Sequence, residues 1–141
     1  MRRVLFDVNV VLDVLLNRRP YVEASAAVFG AAEQGNTQGW WLSAHAVTTI
    51  HYLIRREMNT AQTKPLLQAM LAVLAVAPVD SAVVQEALPL SWPDFEDAVT
   101  AAAARRAGCD YIVTRGPAGF RGSPVKPITP EGLAAILAER G

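Results

Sequence analysis

Short apolar runs of strand type alternate with longer stretches of helical period along this chain. That alternation constrains the fold more than any single residue does. A strand, a crossover helix and a further strand build a parallel sheet covered by helices on both faces. The strand-like runs are "RVLF", "GWWLS", "AVAPV", "DYIVTR" and "PVKPIT". The last reads as an edge strand, where proline is tolerated. Between them, Asn9 to Leu16 reads as a short helix, and "VEASAAVFGAAEQG" as one that follows Pro20 and stops at Gly35. "AHAVTTIHYLIRREM" places Ala46, Ile50, Leu53 and Ile54 on one face, and Tyr52 is read with Leu53 as core. "TAQTKPLLQAMLAVL" carries Pro65, expected in its first turn or at a kink. Asp80 is placed to cap "DSAVVQEAL", Gly108 to close "DFEDAVTAAAARRAG", and Pro130 to start the last helix. The expected architecture is a three-layer α/β/α sandwich around a central parallel sheet, in one domain over residues 1–141.

Composition narrows the function classes. Hydrophobic residues make up 52% of the chain and charged residues 18%, which excludes a disordered tail-like protein. Formal net charge is zero, so contact with nucleic acid would have to rest on local patches. Arginine does come in pairs, at Arg2-Arg3, Arg18-Arg19, Arg55-Arg56 and Arg105-Arg106, read first as solvated helix ends and turns. The lone Cys109 excludes an internal disulfide, fits a reducing cytosol, and reads as a buried small side chain. No signal peptide is visible, and "LLQAMLAVLAVAPV" is too short to span a bilayer. The expectation is a cytoplasmic protein with no membrane association.

Ligands of an open parallel sheet bind outside the carboxyl ends of its strands. Asp7 ends the first strand, where such a ligand would sit, and Asn9 follows it. Asp94 and Asp97, three apart at a helix start, project to one side. Asp94 has a ready role as N-cap, whereas Asp97 has less need of one. Glu96 is expected to point away into solvent, and Asp13 to be solvated or capping. Thr114 ends the fourth strand and Arg115, whose planar fork suits phosphate oxygens, follows it. Acids gathered from separate elements suit Mg²⁺ or Mn²⁺, hard cations with oxygen ligands, and point to phosphodiester cleavage. His45 reads as a hydrogen-bonded helical histidine, and Trp40, Trp41 and Trp92 as packing residues. No phosphate-binding loop, dinucleotide turn or zinc-type spacing is present.

At these residues the chain resembles a known family. "VLFDVNVVLDVLLNR" is similar to the first motif of PIN-domain ribonucleases, and "DFEDAVTAAAARRAGCDYIVTR" to their later acidic helix and fourth strand. The resemblance implies an α/β/α domain with a Mg²⁺ or Mn²⁺ site that cleaves single-stranded RNA. For small bacterial members of the VapC type it also implies a toxin paired with an antitoxin, and a homodimer. Asp7 matches the family's first acid and Asp97 its helical acid, so both are assigned to the metal. Asp94 assists as a third catalytic candidate, Asn9 and Thr114 support, and Arg115 is the RNA contact. The chain departs from the pattern where Thr48 or Thr49 stands in place of a glutamate, and where Gly116 and Gly119 replace aspartates. The alternative is a catalytically weak or inactive module of the same fold that binds RNA or a partner protein.

Overall fold

The computed structural model describes residues 2–35 and 39–139. Five short strands form one sheet in the order β3-β2-β1-β4-β5, all pairings parallel. They are β1 (Val4–Phe6), β2 (Trp40–Ser43), β3 (Ala75–Ala77), β4 (Tyr111–Val113) and β5 (Lys126–Ile128). Pro127, which has no N–H to donate, falls in edge strand β5, as its chemistry requires. Seven α-helices accompany them among the described residues: α1 (Val8–Leu15), α2 (Val22–Gln34), α3 (Ala44–Arg55), α4 (Thr60–Val73), α5 (Ser81–Ala87), α6 (Phe95–Arg106) and α7 (Pro130–Glu139). None is long and apolar enough to cross a membrane. This is the expected α/β/α arrangement, and every expected element is present.

Alternation along the strands divides the core. Val4, Phe6 and Val113 face one cluster, with Val10, Leu12, Phe29, Ile50, Ile54 and Leu133. Leu5 and Ile112 face the other, built on α5 and α6. Ala101 to Ala104 are all buried there, and such small side chains let a helix lie close to the sheet. Cys109 lies in the same cluster, and burial pushes its thiol up to about 12. Local chemistry fixes the helix ends. The Asp80 carboxylate accepts from the Val83 amide at 3.1 Å. Gly108, at φ +74°, lets the Cys109 and Gly108 amides donate to the Ala104 and Arg105 carbonyls, closing α6.

Three expectations about individual residues are corrected. Pro65 is not in the first turn of α4, which a reciprocal Asn59–Gln62 capping pair closes, but lies further inside the helix, leaving the kink as the alternative that stands. Tyr52 is 63% exposed, because two residues beyond Ile50 is the wrong angular step for the buried face of α3. Asp13 is not solvated: it is fully buried on the core side of α1.

Candidate active site

The carboxyl ends of β1 and β4 and the amino end of α6 enclose a crevice of about 320 Å³, whose wall includes Asp7, Asn9, Thr49, Asp94, Glu96, Asp97, Thr114 and Arg115. All the residues singled out from the sequence for this site therefore meet at one place. Asp7 is held at both ends. Its Oδ1 accepts from the Val8 amide at 2.9 Å, which caps α1, and its Oδ2 accepts from the Thr114 hydroxyl at 2.8 Å. Thr114 Oγ1 in turn accepts from the Gly116 amide at 3.1 Å. The β1–β4 pairing brings them together, the Asp7 amide donating to the Val113 carbonyl at 3.0 Å.

Asp94 performs the capping role, its Oδ1 accepting from the Asp97 amide at 3.2 Å. Asp97 sits in the first turn of α6, half-buried. Burial, then the charges of Asp7, Asp94 and Glu96, push its carboxyl up from 3.8 to about 7. Burial also raises Asp7, against the opposing hydrogen bonds from Thr114 and Val8. Glu96 does not point away from the site as expected. It lines the crevice and accepts from the Thr49 hydroxyl at 3.3 Å, so an acid from α6 reaches the position on α3 where threonine stands. His45 Nε2 lies 3.4 Å from the Thr100 hydroxyl, and desolvation lowers its pKa against the pull of Glu96.

The site also contains a cationic side. Arg115 Nε lies 2.8 Å from the Oδ2 of buried Asp13, and its guanidinium stacks 3.8 Å over the Tyr21 ring. Asp13 Oδ2 accepts from the Ser25 hydroxyl at 3.3 Å, and Arg18 stands 4.0 Å away. Arg18 also donates to Asn9 Oδ1 at 3.3 Å. Asp13 thus anchors the arginine that faces the acids, and an arginine-rich turn near an acid in an apolar helix was the only sequence signal for it. Arg115→Ala is expected to cost about 2–4 kcal/mol in stability, since it leaves a fully buried carboxylate with only the more distant Arg18. Urea unfolding checks this, and an unchanged midpoint would mean that the pair contributes nothing.

The fit to a divalent cation rests on uncompensated charge. Both carboxyls are raised, first by burial and then by neighbouring acids, Asp97 by Asp7, Asp94 and Glu96 and Asp7 by Asp94 and Glu96, and a cation would relieve that repulsion. One or two carboxylates with water and substrate oxygens suffice for Mg²⁺. No cluster of three or more His, Cys, Asp or Glu side chains able to hold a metal occurs among the described residues. The raised Asp97 has a consequence for folding. Its folded value lies above the unfolded one, so its contribution is fully present below about pH 4 and lost as pH rises through about 7. The loss should be roughly 1–2 kcal/mol in chelator, the full shift being discounted for solvent screening. Urea titrations at pH 4.5 and 7.5 check it against Asp97→Asn, which should flatten the profile. Identical pH profiles for parent and variant would refute it.

The family model described as "PIN domain" matches residues 3–116. No curated protein matches the chain. Among solved structures, FitAcB from Neisseria gonorrhoeae is 22% identical with a TM-score of 0.69, over 90% of this chain and 97% of that one. A toxin–antitoxin complex from Klebsiella pneumoniae is 18% identical with a TM-score of 0.67, over 90% and 97%. VapC20 of Mycobacterium tuberculosis, a sarcin–ricin loop cleaving toxin, is 14% identical with a TM-score of 0.63, over 77% and 86%.

Proposed function

The chain belongs to the PIN domain family, and on that premise we propose that it is a Mg²⁺- or Mn²⁺-dependent endoribonuclease of single-stranded RNA, the toxin of a toxin–antitoxin pair. The observation that carries the reading is the convergence of Asp7, Asp94, Glu96 and Asp97 on one crevice with Arg115 at its wall. Similarity to a toxin–antitoxin complex and to a sarcin–ricin loop cleaving toxin supports it, and supports an antitoxin protein as partner. The protein is read as a cytoplasmic homodimer.

In this reading Asp7 and Asp97 hold the ion. When bound, it supplies Lewis-acid stabilisation to the phosphoryl oxygens. The chain's own groups do the rest. Thr114 and the Val8 amide orient the Asp7 carboxylate. Asp94 and Glu96 add negative charge, which keeps the crevice selective for cations. Arg115, anchored by Asp13, meets a non-bridging phosphate oxygen. Asn9 and Thr49 complete the polar wall.

One observation favours the second reading, a weak or inactive module that binds RNA or a partner protein. Carboxylates are missing at positions 49, 116 and 119, and no three-acid cluster able to hold a metal occurs among the described residues. The deciding experiment is cleavage of single-stranded RNA with Mg²⁺, with Mn²⁺ and with chelator, beside Asp7→Asn. Cleavage that survives chelation would exclude the first reading, and RNA binding without cleavage would establish the second.

A further inference from the structure

Three hollows adjoin along α3. The acidic crevice has Leu53 in its wall, and a second hollow of about 300 Å³ shares Leu53 and adds Arg18, Arg56 and Glu57. A third, about 380 Å³, shares Arg56 and adds His51, Tyr52 and Arg55. Together they form a path from the acids along the exposed side of the helix. The seven steps from Thr49 to Arg56, the C-cap of α3, rise about 10 Å. That is about three spacings along a strand at roughly 3.4 Å each.

The arginines beside the crevice and at the end of α6 are neutralised. Arg105 and Arg106 are both paired with Glu86, and Arg18 and Arg115 with Asp13. Among the described residues, neither Arg55 nor Arg56 has a carboxylate within ion-pair distance. The Arg56 guanidinium instead stands 6.0 Å from the centre of the exposed Tyr52 ring. Unneutralised arginines beside an open aromatic face are what a single strand uses: phosphates meet the charge and bases stack on the ring. The core of an interface between protein copies would be depleted of charge, and this surface carries Arg55, Arg56 and Glu57.

We propose that the exposed side of α3 is a single-stranded RNA track continuous with the candidate active site, with Arg55 and Arg56 on phosphates and Tyr52 stacking a base. This rests on the ribonuclease reading and adds the route the strand takes outside the crevice.

The test uses RNAs of four and twelve nucleotides. Binding of the longer RNA is followed by fluorescence anisotropy in chelator across a salt series, and cleavage of the shorter with Mn²⁺. The double variant R55Q/R56Q is expected to bind the twelve-nucleotide RNA at least about tenfold more weakly. Its salt slope should be flatter by about 1.4, the value for two lost single-strand contacts. Its cleavage of the four-nucleotide RNA should stay within about twofold of the parent. Tyr52→Ala should weaken binding of the longer RNA about five- to tenfold without changing the slope. Unchanged affinity and slope in the double variant would overturn the track while leaving the ribonuclease reading intact. So would a parent dimer that dissociates on the R55Q/R56Q change in sedimentation, which would assign this face to a second copy. A parent that neither binds nor cleaves RNA would overturn the ribonuclease reading itself.

Discussion

Asp7→Asn is expected to lower RNA cleavage by at least about a hundredfold while leaving the protein folded. The lower bound follows from scale: groups that merely orient a metal's ligands contribute about ten- to a hundredfold, and Asp7 is assigned as a ligand itself. Folding should survive because the amide keeps one hydrogen bond and reverses the other. Its oxygen still accepts from the Val8 amide, and its NH₂ donates to the Thr114 hydroxyl oxygen, which is accepting from Gly116 already. Stability in chelator should be unchanged or slightly raised, since one of the charges acting on Asp97 is gone. Steady-state cleavage at saturating Mn²⁺, with urea unfolding of the same preparations, checks both halves. A variant that cleaves as fast as the parent would show that the activity resides elsewhere or in a contaminant.

Gly119→Asp is expected to tighten divalent-cation binding about ten- to a hundredfold. The sequence offered two glycines where the family pattern has acids, and geometry separates them. A Cβ at Gly119 would lie 3.4 Å from Asp97 Oδ2, an ordinary contact, whereas a Cβ at Gly116 meets nothing within 4 Å. Position 119 therefore adds a carboxylate beside Asp97, whereas position 116, though in the crevice wall, adds one whose Cβ has no acid near it. Gly119 has no left-handed φ, so aspartate fits its backbone without strain. One further charge-assisted ligand is worth roughly 1.5–3 kcal/mol, which is the stated range in affinity. Without metal the sign reverses, because a third carboxylate adds repulsion and Asp97 rises further. Calorimetric titration of Mn²⁺ into the parent, Gly119→Asp and Gly116→Asp checks this, with Gly116→Asp changing affinity less than about threefold. Equal affinities for the parent and a folded Gly119→Asp protein would remove position 119 from the ion's surroundings.

These residues also mark what the sequence could convey. The architecture was legible because each local signal agreed with the global pattern. Asp80 and Asp94 cap the helices they precede, Gly108 takes the left-handed position after α6, and Pro127 falls in an edge strand. Asp7 and Thr114 were legible through the rule for strand ends, since adjacent parallel strands carry them to one edge. Asp13 was not, because its partner Arg115 follows a strand far along the chain and no local period reports that pairing. Glu96 was misread because its position on α6 was judged without α3, whose Thr49 draws its carboxylate into the crevice. Tyr52 was misread against the helical period itself, and its exposure is what makes the α3 path aromatic.

The two hydrogen bonds on the Asp7 carboxylate set when the cost of ordering this site is met. Immobilising a free side chain on binding costs about 0.5–1.5 kcal/mol, and with both oxygens engaged Asp7 has already met that cost on folding. Among the described residues the Asp97 carboxylate has no comparable hydrogen bond, so the entropy of capturing an ion falls mainly on α6. Ion affinity should therefore respond more to residues that stiffen the Asp97 rotamer than to further support for Asp7, which is already preorganised.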